Sequence, residues 1–446
     1  MKNIRFWIRF FTTFWKKFKL LLLLGVFLGI AFFLVLPLFK PLLINFQEGN
    51  RIGIVGRYSI EELPLEIQSK ISQGLTSIDE GGNVHPALAS NWEAKDEGKE
   101  WVFFLSDKKW QDGLQIKATD INYKFSDVSV EVIDDRTIKF TLKEPFSPFP
   151  SIVSRPIFKR GLLGAGDWKV VKINSISGGR YLESLKLINT KTNRIESYKF
   201  FPTEDVAKTA LKLGEVDDLE NMSSGEFKDW NNLSIQANSR EDMYVGLFIN
   251  NEDPILSDKS LRQALAYAIN KSSFSGERAI SPISPLSWAF NPQVKQYPYN
   301  VSRAKELYET LPKEQRKDMT LKLETTPALL DTAEKIKNNW ENIGIKTQIQ
   351  TSGSPPEDFQ ILLAIQSIPP DPDQYSFWHS TQIATNITRY KTSKESQRID
   401  KLLEDGRKTL DLEERKKIYM DFQRFLLEDS PVIFLYHPIT YSISRK

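Results

Sequence analysis

The chain has 446 residues, 40% of them hydrophobic and 26% charged, which predicts two or three lobes and excludes wholesale disorder. The absence of cysteine excludes disulfides, thiolate metal sites and attachment to a lipid through cysteine. The net charge of +3 comes from residues 1–19, which contain six basic residues and no acidic residue. The rest of the chain has 54 basic and 57 acidic residues. That balance is not typical of a nucleic-acid-binding protein.

An uncharged twenty-residue segment, 20–39, follows this basic tail. As a helix it is about 30 Å long, the thickness of the hydrocarbon core of a bilayer. A cleaved signal peptide is the alternative, but its apolar region usually has about 7–15 residues and ends at a small-residue cleavage site, which is lacking here. Because basic residues favour the cytoplasmic side, we expect a cytoplasmic tail over 1–19, a retained transmembrane helix over 20–43 and the remainder outside the cell.

The first half of the outer part is predicted to be rich in strands. A strand over 51–55 opens it, and the segment 92–142 contains alternating apolar residues with a hairpin around 134–136. Further strands are predicted within 181–202. A short helix over 205–213 then ends at a glycine.

From about residue 240 the pattern becomes α/β. A strand over 245–250 precedes a helix with an apolar stripe at 261–269. A compact βαβ unit follows, with strands over 320–324 and 345–350 around a helix that carries apolar residues from 329 to 343.

The C-terminal part continues with a buried-type strand over 359–365 and helices over 397–407 and 412–428. Asp411 and Glu414 have the spacing of a capping box at the start of the second helix. A strand over 432–436 is predicted to be the last.

The sequence contains no pattern that predicts catalysis. Its three histidines, His85, His379 and His437, are far apart and lack the spacing of metal ligands, and no nucleophile elbow, phosphate loop or dinucleotide fingerprint is present. Asp371 and Asp373 carry oxygen ligands, but their proline-flanked context favours a solvated loop. We therefore predict a protein that is not an enzyme and that has no cofactor and no metal site.

Six segments in collinear order resemble the family 5 bacterial extracellular solute-binding proteins, which include the oligopeptide-, dipeptide- and nickel-binding components of ABC importers. The motifs include Pro-Ala-Leu-Ala…Trp at 86–92, Trp-Gln-Asp-Gly at 110–113, and Arg-Gln-Ala-Leu at 262–265. The six segments are 74–125, 132–149, 211–222, 245–274, 369–380 and 398–436.

The resemblance implies an α/β fold like that of periplasmic binding proteins, with two α/β lobes, a cleft between them and a small β-rich extra domain, here preceded by one N-terminal transmembrane helix. Its ligand is enclosed in the cleft by hinge closure. The expected division of the outer part is lobe I over 44–82, 155–240 and 430–446, the small domain over 83–154, and lobe II over 241–429.

Two departures from the family pattern concern the ligand. Gly164–Trp168 replaces a Gly-Thr-Gly-Pro-aromatic turn, and Ile368 stands where peptide-binding members have an Asp that pairs with the α-amino group of the peptide. Two alternatives follow: the cation anchor shifts to Asp371 or Asp373, or it is absent.

Candidate ligand-binding residues are drawn from four places in the chain. Asn250 offers a side-chain amide, with a structural turn cap as its alternative. The aromatic residues that follow the Asp-Pro loop, 375–379, are predicted to form either a pocket wall or part of the core. Trp288 is predicted to lie either in a pocket or on the surface. The full set is Asn250, Asp371, Asp373, Tyr375, Phe377, Trp378, His379, Tyr58, Ser59 and Trp288.

The function predicted from these observations is a membrane-anchored, extracytoplasmic substrate-binding protein of an ABC importer that binds peptides or similar small solutes. Its expected partners are the solute, the permease subunits and the membrane through its own helix, with no nucleic acid, and we expect a monomer. The alternative is a membrane-anchored sensor or scaffold of the same fold that no longer binds a transported ligand. A membrane-tethered hydrolase is the least favoured hypothesis.

Overall fold

The computed structural model describes residues 49–446 except 228, 229, 231, 318, 355, 357 and 391–393, together with residues 7, 15, 17–19, 24, 25 and 27. Most of the predicted tail (1–19) and anchor (20–43) therefore lies outside the described residues. Within the residues that are described, no helix has both the length and the hydropathy needed to cross a bilayer.

Strands and helices are numbered from residue 49. The strands are β1 (Asn50–Val55), β2 (Thr76–Ile78), β3 (Val84–Pro86), β4 (Ala89–Lys95), β5 (Glu100–Leu105), β6 (Ser129–Asp134), β7 (Thr137–Thr141), β8 (Trp168–Ile176), β9 (Tyr181–Asn189), β10 (Ile195–Phe201), β11 (Asp218–Met222), β12 (Leu233–Ser239), β13 (Met243–Ile249), β14 (Thr320–Thr325), β15 (Lys346–Thr351), β16 (Ile361–Ser367), β17 (Val432–Tyr436) and β18 (Ile439–Arg445). The helices are α1 (Leu65–Ile71), α2 (Phe149–Ile152), α3 (Glu204–Leu213), α4 (Lys259–Ala268), α5 (Val301–Glu309), α6 (Lys313–Arg316), α7 (Leu330–Glu341), α8 (Tyr375–Trp378), α9 (Lys394–Lys408) and α10 (Leu412–Asp429).

The first sheet has the strand order β12-β18-β11-β1-β10-β9-β8. β1 is parallel to both of its neighbours, β10 and β11, whereas the outer pairs are antiparallel. Ile52 and Ile54 of β1 pack with Ile67 and Ile71 of α1 in one apolar core. Because β1 and β11 run in the same direction, their carboxyl ends meet at one edge of the sheet.

The second sheet has the strand order β15-β14-β16-β13-β17. β14 and β15 are parallel and are connected by α7, which confirms the predicted βαβ unit. Trp340 of α7 is fully buried, and its indole nitrogen donates to the Leu265 carbonyl of α4 at 3.2 Å. This bond and the surrounding apolar cluster fix both helices on one face of the sheet.

The small sheet has the order β4-β5-β7-β6, and its core contains an aromatic group formed by Phe103, Phe140 and Phe149. The predicted hairpin between β6 and β7 is present, with its turn at Asp134–Thr137. The turn between β4 and β5 places Glu97 at a φ of 54°.

Several helix ends follow their capping residues. The Thr203 side chain accepts the Val206 amide at the start of α3, and Gly214 ends that helix at a φ of 78°. Asp411 accepts the Glu414 amide at 2.8 Å at the start of α10. These ends agree with the predicted helix 205–213 and with the predicted cap at 411.

The chain passes between the first and second sheets at two places, residues 240–242 and residues 437–438. The two crossings lie together, since the Arg240 amide donates to the Pro438 carbonyl at 2.9 Å. The buried His437 ring contacts the Met243 carbonyl at 2.6 Å. A mixed α/β architecture with several sheets and two crossing segments is what the resemblance implied.

Two details differ from the sequence-based expectation. The strand β17 is not the last one, because β18 follows it and lies between β11 and β12 in the first sheet. β17 itself pairs with β13 in the second sheet, so the return crossing comes after residue 436 and not at residue 430. Ile439, Tyr441 and Ile443 alternate with polar residues in β18, so the sequence carries a strand pattern there that the prediction omitted. The division of the chain into lobes otherwise remains a prediction.

Candidate functional site

A cavity of about 800 Å³ lies between the two larger sheets. Its first wall comes from α1, the loop before β3, β11, β12 and β18, and its opposite wall comes from residues 284–287 and 368–370. The crossing segment 240–242 connects the two walls. A space of this size that is lined from both sides has the dimensions of a small-molecule site.

A second cavity of about 570 Å³ adjoins the first, because Glu66, Asn221, Arg240 and Asp242 line both. It extends along the carboxyl end of β1 to Tyr58. We call the two cavities together the cleft.

Arg240 and Asp242 form an ion pair within the crossing segment. Two guanidinium nitrogens of Arg240 donate to the Asp242 carboxylate at 2.8 and 2.7 Å, and a third donates to the Asn221 side-chain oxygen at 3.1 Å. The hydrogen bonds from Arg240 lower the pKa of Asp242, and those same bonds raise the pKa of Arg240. Both side chains are therefore charged at neutral pH, and they hold the crossing against β11.

Glu220 is a partly buried carboxylate on the β11 wall of the cleft. Burial raises its pKa, and the nearby negative charges of Glu66 and Glu196 raise it further, whereas Lys70 acts in the opposite direction. The Lys70 ammonium is itself bound at 2.7 Å to both Glu196 and the Tyr198 hydroxyl. Lys70 therefore offsets the charge of Glu220 only in part.

Tyr58 and Ser59 have different positions. Tyr58 lines the cleft, and its hydroxyl donates to the Val55 carbonyl at 3.1 Å. Burial, followed by the charge of Glu66, raises the pKa of Tyr58. Ser59 accepts the Glu62 amide at 3.2 Å and does not line the cleft. Of the two, Tyr58 alone lines the cleft, and a ligand-binding role remains a prediction for both.

Asp371 and Asp373 have internal partners. Arg415 donates to both carboxylate oxygens of Asp371 at 2.6 and 3.0 Å, and the Ser151 hydroxyl donates to the same carboxylate at 3.2 Å. Arg407 forms an ion pair with Asp373 at 2.8 Å. Both aspartates lie outside the lining of the cleft, although the preceding residues, 368–370, are part of it.

The predicted aromatic group is divided between the core and a third cavity. Trp378 and His379 are buried, and the His379 ring contacts the Thr381 hydroxyl at 2.8 Å and Glu404 at 3.3 Å. Tyr375 stacks on His379 and lines a cavity of about 660 Å³ between the small sheet and α9. Phe377 packs against the same apolar cluster as Trp378.

Asn250 and Trp288 also make structural contacts. The Asn250 amide nitrogen donates to the Phe359 carbonyl at 3.1 Å, and its oxygen accepts the Glu252 amide at 3.1 Å, as in a turn cap. The Trp288 ring lies against Tyr419, and its backbone amide donates to the Gly81 carbonyl at 3.0 Å. As ligand-binding residues, both remain predictions.

The charged residues that line the cleft were not among the sequence candidates. Glu66, Glu220, Asn221, Arg240 and Asp242 come from α1, β11 and the crossing segment, and only the fold brings them together. The one local signal is the Arg-Glu-Asp run at 240–242, a charged turn between two strands. Among the residues that the structure describes, no group of three or more His, Asp or Glu side chains is placed to hold a metal ion.

The model of the bacterial extracellular solute-binding proteins, family 5 Middle, matches residues 83–182 and 189–385. Since this is more than half of the chain, the chain belongs to that family. The members of this family are solute-binding proteins and not enzymes, which agrees with the absence of a catalytic pattern in the sequence.

Individual relatives cover most of the chain. The oligopeptide-binding protein AppA of Bacillus subtilis is 26% identical over 85% of this chain and 83% of its own length. The di/tripeptide-binding protein 1 of Pseudomonas aeruginosa is 24% identical over 83% of this chain and 84% of its own. The structure of NikZ from Campylobacter jejuni in complex with Ni(L-His) has a TM-score of 0.70 at 23% identity, covering 89% of this chain and 94% of that one.

Proposed function

We propose that this protein is the solute receptor of an ABC importer, and that it binds a peptide or a similar small solute in the cleft. The observation that carries the proposal is the cavity of about 800 Å³ with walls from both larger sheets. A ligand in that space touches both lobes only when they are close together, so binding favours the closed state. This is the change of shape that an importer is expected to recognise.

The proposed ligand class is supported by the names of the relatives and by the size of the cleft. Both relatives compared by sequence are peptide-binding proteins by name. Sites for small molecules have volumes of about 300–1,000 Å³, and the larger cavity falls within that range. A short peptide or a solute of similar size fits this space.

The proposed location is the outer face of the cell membrane, with the apolar segment 20–39 as the anchor. Its length and the six basic residues before it support a single-pass helix with a cytoplasmic N-terminus. Extraction of cell membranes with alkaline carbonate tests the anchor. We expect the full chain to stay in the membrane pellet, and its release into the supernatant would refute the retained helix.

The second candidate function is a membrane-anchored sensor or scaffold that does not bind a transported ligand. It is favoured by direct hydrogen bonds that cross to the second lobe, from the Ser147 amide to the Arg407 carbonyl at 2.7 Å and from the Trp288 amide to the Gly81 carbonyl at 3.0 Å. It is also favoured by the internal partners of Asp371 and Asp373. The cavity of about 800 Å³ favours the receptor, because the side chains of the two walls do not pack against each other there.

Ligand binding is testable with the detergent-solubilised full chain. Titration with a library of di- and tripeptides is expected to change intrinsic tryptophan fluorescence and to reduce the small-angle scattering radius. Leu286→Arg, in the wall of the cleft, is expected to abolish both responses. Leu213→Arg is the matched control, since Leu213 is 72% exposed and outside the cleft. If the library has no effect on the unmodified protein, the receptor function is refuted.

A further inference from the structure

The charge of the cleft is strongly one-sided. Among the described residues that line it, Arg240 is the single cation. Carboxylates come from α1, the loop before β3, β11 and the crossing segment. They are Glu66, Asp79, Glu80, Glu220, Glu241 and Asp242.

Two of these carboxylates have a partner within the protein. Asp242 is paired with Arg240. Asp79 contacts the His85 ring at 2.9 Å, and this hydrogen bond, together with those from Asn83, lowers the pKa of Asp79 to about 2. Since Arg240 is already bound to Asp242, it offsets the charge of Glu66 only in part.

The remaining carboxylates make no ion pair or hydrogen bond with the side chains that the structure describes. Glu220 is the most informative of them because it is partly buried. Lys70 offsets its charge only in part, because Lys70 is itself bound to Glu196 and Tyr198. A bound cation between the walls would stabilise the charged form of this partly buried carboxylate further. Glu66 adds to this negative field, since its charge acts on Glu220, on Tyr58 and on Arg240. The arrangement is complementary to a cation located between α1 and β11.

The opposite wall has a different chemistry. It presents Leu286, Ile368, Pro369 and Pro370 with the hydroxyl groups of two serines, and it contributes no charged side chain to the lining. A ligand that fits both walls therefore carries its positive charge toward α1 and β11 and an apolar or neutral part toward residues 368–370.

We infer that the ligand of this cleft carries a protonated amine, which Glu66 and Glu220 bind from the wall formed by α1 and β11. This inference rests on the proposed receptor function and specifies its ligand. The amine belongs either to a cationic peptide or to a free polyamine, since both present the same group to the carboxylates.

Isothermal titration of the full chain at low ionic strength separates these cases. The probes are Lys-Ala-Ala amide, the neutral N-acetyl-Ala-Ala-Ala amide, the acidic N-acetyl-Glu-Ala-Ala amide, and spermidine. We expect the amine-bearing probes to bind tightest and to lose affinity as salt is added. Glu220→Gln is expected to raise the Kd for Lys-Ala-Ala amide by about tenfold or more, because a hydrogen bond to a charged group contributes at least that factor.

Two further variants keep the result interpretable. Glu66→Gln removes a solvent-exposed carboxylate of α1 and is expected to weaken binding of the same probes independently of Glu220. Glu183→Gln is the matched control, because Glu183 is exposed on β9 and outside the cleft, and it is expected to change no Kd.

Each outcome bears on one of the two proposals. Equal or tighter binding of the neutral or acidic tripeptide, or an unchanged Kd in both Glu66→Gln and Glu220→Gln, refutes the amine preference and leaves the receptor function standing. If neither the probes nor the peptide library bind to the protein, the receptor function itself is refuted. Tighter binding of spermidine than of Lys-Ala-Ala amide supports the amine preference and identifies a polyamine as its source.

Discussion

The buried ion pair between Arg415 and Asp371 connects α10 to the segment that follows the cleft wall. Arg415 is 5% and Asp371 8% exposed, and the guanidinium donates to both carboxylate oxygens. Replacing Arg415 with Met leaves the Asp371 carboxylate buried with only the Ser151 hydroxyl and the Asp373 amide as donors. Removing one partner of such a pair usually costs about 3–5 kcal/mol. We therefore expect Arg415→Met to lower the free energy of unfolding by that amount in urea titrations followed by tryptophan fluorescence.

A control and a double variant isolate the buried charge. Arg424→Met removes an exposed pair with Asp421 on the same helix and is expected to cost less than about 1 kcal/mol. Adding Asp371→Asn to Arg415→Met removes the unpaired charge, so the double variant is expected to be more stable than Arg415→Met alone. If Arg415→Met is no less stable than Arg424→Met, the reasoning from the buried pair is refuted.

Three further predictions follow from single positions. Gly82, at a φ of 79°, leaves only 2.5 Å between an added Cβ and the Pro370 carbonyl oxygen, so Gly82→Ala is expected to push the two cleft walls apart and enlarge the scattering radius. Gly113→Ala, at a φ of 88° with nothing near its Cβ, is expected to leave that radius unchanged, and an equal radius in both variants would contradict the clash. Burial lowers the pKa of Lys271 to about 6, so the folded state binds this proton less tightly than the unfolded state and loses stability as the pH falls from about 10 to about 6. The stability gained in Lys271→Met is therefore expected to be largest near pH 6 in urea titrations, and a pH-independent gain would argue against it. Burial raises the pKa of Glu220, so the stability of the unmodified protein falls as the pH rises above the ordinary pKa of a glutamate. Glu220→Gln lacks this loss, so its stability relative to the unmodified protein is expected to increase with pH in thermal unfolding. A difference that stays constant with pH is the contrary result.

The elements that local sequence predicts well are those whose signals lie within a few residues. Helix α3 has its cap at Thr203 and its stop at Gly214, and both signals are visible in the sequence. The βαβ unit is predictable for the same reason, since an apolar stripe of helical spacing lies between two apolar strands. In contrast, β18 pairs with β11 and β12, whose residues lie 200 or more positions away. The alternating residues of β18 are typical of a strand, but no local pattern identifies these partners.

The cleft was predictable as a feature of the fold, but its lining was not. Asp371 and Asp373 have the residue type of a ligand anchor. Each forms an ion pair with an arginine, Arg415 and Arg407 respectively, and sequence spacing does not reveal these partners. Glu66 and Glu220 lie 154 residues apart and share a cavity only because β1 and β11 are parallel neighbours. A charged side chain is therefore a good candidate for ligand binding only when the structure shows that no other side chain of the protein already neutralises it.

The position of Ile368 and the carboxylates of the cleft have a common explanation. Ile368 is 7% exposed and belongs to the apolar wall, so an amine placed beside it would be desolvated without a counter-charge. The nearest aspartates in sequence, Asp371 and Asp373, are already neutralised by arginines and offer no net negative charge. The facing wall, with Glu220 and Glu66, is where a positive group gains electrostatic stabilisation. If the ligand carries an amine, the physical chemistry of the two walls therefore requires it to point toward α1 and β11, away from Ile368, where the resemblance implied an anchor.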